Sequence, residues 1–404
     1  MRLEKMPAEF VKALPILQKI RDFGYEAYFV GGSVRDVLLN RQIHDVDIAT
    51  SAYPSEIKQI FEHTIDIGIE HGTVLVLAQD DEYEITTFRT EDVYVDYRRP
   101  AHVSFVRQLS EDLLRRDFTI NAFALANDGE IIDLYDGLND LDNQVLRAVG
   151  KPSERFTEDA LRIMRGLRFS ATLNFDLATE TFEAMKAQAY LLEKISIERI
   201  FIELDKLLIA NHWQKGLKTL LAIEASDYLP GLSNQSALLK MLSLPEDFVF
   251  TNSVQAWGYL LYQLGYLDGK FLMKQWKVSR DFSTDVTNFL KAYHIRQTSQ
   301  FTQESLYLLG KSSLDLVEEM VAAQELETDF DLITGLDAEL QIRHKKDIAV
   351  SAGEIMTRFG IKPGPGIGKL YHTIELEIVR GNLINRPEAI FNYVKEKSND
   401  GNND

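Results

Sequence analysis

Asp45 and Asp47 stand one residue apart in His-Asp-Val-Asp-Ile-Ala-Thr, shortly after Gly31-Gly32-Ser33-Val34-Arg35-Asp36. On a strand, residues i and i+2 share a face, so both carboxylates project together while Val46 and Ile48 turn into a core. Two hard oxygen ligands at that separation suit Mg²⁺, which prefers carboxylates plus substrate phosphates to a full protein cage. The double glycine lets a backbone turn approach a polyphosphate, with the amides of the following helix facing it. Each half alone is common in strands and turns. Their order and closeness predict a nucleotidyl-transfer site.

Glu84, in Glu-Ile-Thr-Thr-Phe-Arg, falls on a strand that can lie beside the Asp45/Asp47 strand. It reads equally as a third metal carboxylate or as an exposed strand glutamate. Arg115-Arg116-Asp117-Phe118-Thr119-Ile120-Asn121-Ala122 offers guanidinium forks for triphosphate oxygens, a role assigned to Arg116. Asp117 and Asn121, at i and i+4, share a helical face and hold either a ribose hydroxyl or each other; the plainer reading makes Asp117 a helix cap. Asp133 and Asp136 read as turn residues, because their spacing does not match a calcium loop.

In Glu158-Asp159-Ala160-Leu161-Arg162-Ile163-Met164-Arg165-Gly166-Leu167-Arg168 the residues Asp159, Arg162, Arg165 and Arg168 recur at i+3 along an expected helix. Asp159 only accepts hydrogen bonds and Arg162 only donates them. Cytosine and adenine both present an exocyclic amine beside a ring-nitrogen acceptor, whereas uracil and guanine present a carbonyl in place of the amine. A side-by-side Asp/Arg pair therefore accepts C and A and rejects U and G. Taken in isolation, the same pair is an ordinary i,i+3 salt bridge.

The elements that must position these residues are a helix over 1–22 with Gly24 as its stop, and strands at 25–30, 43–49, 73–78, 83–88 and 130–134. A helix at 33–40 follows the double glycine. This is an α+β chain: a mixed α/β head of about five strands over 1–150, followed by all-helical segments. The helical part is expected to divide into a neck at 151–210, a body at 211–300 and a tail at 301–395, with residues 396–404 disordered. Lys362-Pro363-Gly364-Pro365-Gly366 reads as a loop that opens another helix.

The chain has 404 residues, 45% of them hydrophobic and 26% charged, enough for two to four domains with a substantial core. No apolar run approaches a membrane span, and the absence of cysteine excludes disulfides and thiolate metal sites. A cytoplasmic protein is expected. The net charge of −18 argues superficially against a nucleic-acid partner, but phosphate contact depends on local patches. Arg89, Arg98, Arg99, Arg107, Arg115 and Arg116 form one such cluster, and Arg147, Lys151, Arg155, Arg162, Arg165 and Arg168 form another.

Gly-Gly-x-Val-Arg-Asp, Asp-Val-Asp-Ile-Ala-Thr, Arg-Arg-Asp-Phe-Thr-Ile-Asn-Ala, Glu-Asp-x-x-Arg and Ser196-Ile-Glu198-Arg199-Ile-x-x-Glu203-Leu occur in this order over residues 25–205. The chain thereby resembles the class II tRNA nucleotidyltransferases, the group of the bacterial CCA-adding enzymes within the polymerase β-like superfamily. The resemblance implies that Gly32 and Arg35 bind the nucleotide triphosphate, Asp45 and Asp47 hold catalytic Mg²⁺ with Glu84 as helper, and Arg116 contacts the nucleotide. Asp159 and Arg162 become the amino-acid template for C and A, with Arg165 and Arg168 supporting phosphates. Ser196, Glu198, Arg199 and Glu203 brace the neck. Implied partners are tRNA, CTP and ATP, with no membrane, in a monomer or homodimer.

Under the same resemblance, the tRNA 3′-hydroxyl attacks the α-phosphorus and pyrophosphate leaves. Arg89-Thr-Glu-Asp-x-Tyr-x-x-Tyr-Arg98-Arg99-Pro100 resembles the flexible loop of complete CCA-adding enzymes, which CC-adding relatives have shortened. The Gly-Arg-Arg signature and basic C-terminal extension of bacterial poly(A) polymerases are missing. A catalytically silent, nucleotide-sensing RNA-binding protein is the reading from another class; the intact acid pair speaks against it.

Overall fold

Apolar residues at positions 10, 13, 17 and 20 recur at helical spacing, and they form the buried face of α1 (Ala8–Asp22), which starts later than the expected 1–22. Gly24, at φ +89°, ends it. Phe10 stacks on Phe29 at 4.6 Å and ties this helix to the first strand. The structure is a computed structural model that describes residues 1–43, 45–78, 81–91, 94–95, 99–100 and 103–400. It falls into two units, Met1–Gln235 and Ser236–Asp404.

The first unit carries a seven-stranded sheet rather than five. Its strands are β1 (Ala27–Val30), β2 (Asp47–Thr50), β3 (Thr64–Gly68), β4 (Thr73–Ala78), β5 (Asp81–Thr87), β6 (Phe123–Leu125) and β7 (Ile131–Asp133). In space they run β7-β6-β1-β2-β5-β4-β3, antiparallel throughout except for the parallel β2–β5 pair. The two unanticipated strands lack a period-2 signal for opposite reasons. β3 is an edge strand with three consecutive exposed residues, and β6 is buried at all three of its positions.

Register places the site. Val30 pairs with Asp47, so the turn at Gly31 lies beside the first residue of β2. Ile48 pairs with Ile85, which puts Glu84 one step beyond the paired residues and alongside Asp47. Ile48 and Ile85 enter the larger core with Phe29 and Val74, and Val46 packs against it; Ala49 joins Val30, Phe88, Leu109 and Leu113 on the opposite face. The α2 helix (Gly32–Leu38) follows the turn, α3 (Pro54–Ile60) follows β2, and α4 (Leu109–Leu114) supplies the leucines of that second face. Asp133 accepts hydrogen bonds from the amides of Tyr135, Gly137 and Leu138, and so opens α5 (Gly137–Asp142) as a turn residue should.

The remaining helices of this unit are α6 (Pro152–Glu158), α7 (Leu161–Leu173), α8 (Thr179–Gln188), α9 (Ile197–Leu208) and α10 (Trp213–Ala222). Phe169, Leu173 and Phe175 belong to the same core as the sheet. Two-residue strands at Val145–Leu146 and Asp176–Leu177 also pair, so residue 150 lies within a continuous packing unit. The segment around Asp159 is not one helix: at φ −138° and ψ 101° Asp159 separates α6 from α7. Its carboxylate accepts from the Leu161 amide, a local bond that competes with helix continuation.

The second unit is helical and runs from α11 (Gln235–Met241), through α12 (Ser253–Gln263) and α13 (Lys270–Gln275), to the last helix, Pro387–Asp400. Trp257 meets Trp276 edge-on at 5.0 Å in one core, and Ile374, Ile378, Ile390 and Val394 lie in another. Pro365 opens the helix Pro365–Val379 after the expected loop. The last helix corrects the expectation of disorder over 396–404: it continues through Asp400, anchored by buried Ile390 and Val394, and residues 401–404 lie outside the described residues. No described helix is long and apolar enough to cross a membrane.

Gly137 packs under the 3₁₀ turn Thr119–Asn121, where an added methyl would sit 2.4 Å from the Thr119 carbonyl oxygen. Gly137→Ala must displace that turn, and we expect a loss of about 1–3 kcal/mol by thermal denaturation, the usual cost of overpacking. Unchanged stability would mean that the turn shifts freely.

Candidate functional site

Of the ten residues singled out from the sequence, Gly32, Arg35, Asp47, Arg116, Asp159, Arg162, Arg165 and Arg168 line one cavity of about 800 Å³ in the first unit. Asp45 lies exposed two residues before Asp47, and Glu84 is exposed on β5; neither is among the lining residues. Among the described residues, no three His, Cys, Asp or Glu side chains are close enough to form a ready-made metal cluster. The lining adds Gly31, His71, Arg89, Arg115, Asp117, Asn121, Phe169 and Arg199, among others.

At Gly31 the backbone takes φ +77°, where L side chains are strained. A methyl there would also lie 3.3 Å from the Arg116 guanidinium and 3.5 Å from the Asp47 carboxylate. Gly31 thus keeps open the space between an acid and a cation. Among the described residues, neither Asp45 nor Asp47 forms an ion pair. Asp47 keeps a solvent-exposed edge, yet the protein mass around it pushes its carboxyl up; Arg116 pulls it down and Asp45 adds to the rise. Two adjacent carboxylates that repel one another, with Arg116 near Asp47 but no ion pair formed among the described residues, are suited to a divalent ion.

The arginine wall is held by buried acids. Asp112, 1% exposed, accepts from Arg115 Nε at 3.0 Å and from Arg116 Nη2 at 3.3 Å. Burial would raise its carboxyl, but the charges of Arg115 and Arg116 win and hold it low. Asp117 accepts from Arg165 Nε at 2.7 Å and from Asn121 Nδ2 at 3.0 Å. Asn121 in turn accepts from Arg35 Nη1 at 2.6 Å, while Arg35 Nε donates to Asp36 at 2.9 Å. Of the two readings of Asp117 and Asn121, mutual hydrogen bonding is the one found, across a 3₁₀ turn rather than an α-helical face. Burial would raise Asp117 too; Arg165, then Asn121, overcome it and bring its carboxyl to about 2.

Arg168 donates to Glu203, and its guanidinium lies 4.0 Å from the centroid of Phe169. Arg35 and Arg165 lie 5.2 and 5.4 Å from the same ring. One aromatic face gathers three cations.

Asp159 and Arg162 both face the cavity, but not as neighbours on a helix. Arg199 Nη2 donates to Asp159 Oδ2 at 2.8 Å. Arg162 donates to Glu158 Oε2 at 2.7 Å and to the Arg115 carbonyl at 2.7 Å. The isolated i,i+3 salt bridge is therefore not formed: each side chain is fixed by another partner, leaving the two as separate acceptor and donor. Arg199, expected only as a brace, lines the cavity and leaves its buried Nη1 without a partner, as Arg116 leaves its Nε. Glu203 does brace, through Arg168.

Several expected basic residues are engaged elsewhere. Arg107 pairs with Glu56, Arg147 with Asp140, and Lys151 with Glu154. Within the loop expected at 89–100, residues 92–93 and 96–98 lie outside the described residues, and with them Arg98. Asp112 escaped notice although it stands three and four residues before Arg115 and Arg116, a helical pairing distance that was available as a signal. Arg199 had no such signal, since its partner lies forty residues away.

The Poly A polymerase head domain family matches residues 27–147, and the tRNA nucleotidyltransferase domain 2 family matches residues 248–394. A CCA-adding enzyme of Streptococcus agalactiae is 58% identical over 398 residues, spanning 98% of this chain and 99% of that protein. One from Streptococcus pyogenes is 56% identical over 399 residues, with the same coverage. The crystal structure of the Bacillus stearothermophilus CCA-adding enzyme in complex with CTP superposes with a TM-score of 0.87 at 34% identity, covering 98% of this chain and 100% of that one.

Asp117 is buried with a carboxyl at about 2 against an ordinary 3.8, so its ionised form contributes about 2 kcal/mol to folding above pH 4. That contribution is lost as pH falls through the folded value. Asp117→Asn should therefore be less stable by about 2 kcal/mol at pH 7 in urea denaturation. The deficit should close between pH 4 and about 2; a pH-independent deficit would show that the charge is not its source.

Proposed function

The chain belongs to the CCA-adding enzymes, a family of tRNA nucleotidyltransferases, and from that membership we propose how its own residues divide the work. The reaction adds or repairs the 3′-terminal CCA of tRNA from CTP and ATP, without a nucleic-acid template, and releases pyrophosphate. The observation that carries the assignment is the single cavity in which an acid without an ion pair faces an arginine wall, with Asp159 and Arg162 fixed separately.

In this proposal Arg35 and Arg116 take the triphosphate oxygens, and the positive φ at Gly31 lets the phosphates approach the backbone next to Gly32. Arg165 and Arg168, backed by Asp117 and Glu203, add charge already held in place. Asp159 accepts from the exocyclic amine of C or A, while Arg162 donates to the adjacent ring nitrogen. With the base and phosphates held, the 3′-hydroxyl of tRNA releases its proton to solvent as its oxygen bonds to the α-phosphorus. The bond from that phosphorus to the bridging oxygen then breaks, and pyrophosphate leaves.

The family uses a divalent metal. The oxygen-only donor set of Asp45 and Asp47 suits Mg²⁺, with exposed Glu84 as an additional carboxylate alongside Asp47. When bound, that ion supplies Lewis acidity at the α-phosphate and acidifies the attacking hydroxyl. We also retain the division into head, neck, body and tail, in a cytoplasmic monomer or homodimer.

Incubation with a tRNA lacking its 3′ end, CTP, ATP and Mg²⁺ should give a discrete three-nucleotide extension. A stop at two, or a long ladder, would reject complete CCA addition. Asp45→Ala should abolish extension with an unchanged melting temperature, and full activity in the folded variant would remove the acid pair from catalysis. Asp159→Ala should raise UTP and GTP incorporation relative to CTP and ATP by about tenfold or more. Arg199→Gln should shift that discrimination in the same direction by a smaller factor, with Arg199→Lys partly restoring it; unaltered selectivity would leave Arg199 a brace only.

A further inference from the structure

A second cavity, of about 550 Å³, shares Arg168 with the first. Arg41, Lys206 and His212 supply its basic side chains, and Thr172 and Asn211 add polar ones. Among the described residues no aspartate or glutamate lines it. Arg41, in the connection between α2 and β2, donates only to the Thr172 carbonyl, at 3.3 Å. Lys206, on the last turn of α9, has no ion-pair or hydrogen-bond partner among the described residues. Most other arginines and many lysines of this unit are committed to carboxylates: Arg107, Arg115, Arg147, Arg155, Arg165 and Arg168 all form ion pairs.

Two uncommitted cations facing an acid-free cavity are unusual in a chain with a net charge of −18. They come from segments 165 positions apart and are brought together only by the fold. Like charges held close, with no protein counter-ion, create a site for an anion. The nucleotide cavity already has its own cations for the triphosphate, and Arg168 joins the two spaces. We propose that this second cavity binds a backbone phosphate of the tRNA strand, through Arg41 and Lys206.

The inference rests on tRNA being the substrate and goes beyond it by placing an RNA contact at a stated site. A phosphodiester carries one negative charge and no base information, so this contact sets the affinity and register of the RNA and leaves base choice to Asp159 and Arg162. Free pyrophosphate, the other phosphate source in the reaction, would bind the same chemistry.

The test uses the full-length enzyme and a tRNA lacking its 3′ end. Binding of wild type, Arg41→Gln, Lys206→Gln and the double variant is measured across a KCl series. Each single variant should weaken tRNA binding about threefold to tenfold at moderate salt. Each should also flatten the slope of log Kd against log salt by about 0.7–1, the share of one phosphate contact. Lys206→Arg should restore the slope. Both side chains are exposed, so melting temperatures should be unchanged, and KM for CTP at saturating tRNA should equal that of wild type.

Unchanged tRNA affinity and slope in the double variant would overturn the proposal, as would weakened inhibition by added pyrophosphate with tRNA binding intact. Neither result would touch the assignment of CCA addition, because C, C and A would still be added at saturating tRNA. Failure of the wild type itself to extend at saturating tRNA would instead count against that assignment.

Discussion

Eight arginines line one cavity, and their mutual repulsion is the constraint around which the first unit is built. Three buried acids answer it: Asp112 holds Arg115 and Arg116, Asp117 holds Arg165, and Glu203 holds Arg168. Removing Asp112 or Glu203 would leave a largely buried cation without its counter-charge. The same acids keep the guanidinium groups still, so that a polyanion entering the cavity meets charges already oriented. Phe169 completes the arrangement by presenting one ring to three of them.

This explains a division of labour among the carboxylates. Asp112 and Asp117, which organise arginines, are buried and pulled low, whereas Asp45 and Asp47 carry no ion pair among the described residues and Asp47 is pushed up. A structural acid satisfied by arginine has little left to offer a metal ion; an acid left unsatisfied destabilises the protein until a cation arrives. The pairings divide the acids of this pocket into the two classes.

Local chemistry was legible in the sequence and long-range pairing was not. Asp47, Arg116 and Arg162, which the fold brings to one cavity, could be singled out because spacing within a few residues states which side chains share a face. The helix stop at Gly24 and the turn at Asp133 were legible for the same reason. The break at Asp159 was hidden, since helical periodicity continues across it and only the Leu161 amide reveals the interruption. Arg199 and the extra strands β3 and β6 were also hidden: a forty-residue contact leaves no local trace, and an edge strand or a wholly buried one lacks alternation. The sharpest compositional change, at residue 150, marks where the large sheet ends, while packing runs straight through it.

That continuity has a consequence for how the protein is made. A chain emerging from the ribosome displays Asp45, Asp47 and the whole sheet well before Phe169, Leu173 and Phe175 arrive to fill the same core. Until then the sheet is short of part of its apolar cover, and Arg35 lacks the ring it stacks against. Asp159 waits longer still, for Arg199. Nascent chains ending before about residue 200 therefore present an exposed strand edge and an unfinished pocket, the species on which chaperones act. The pocket is complete only once Arg199 has been made.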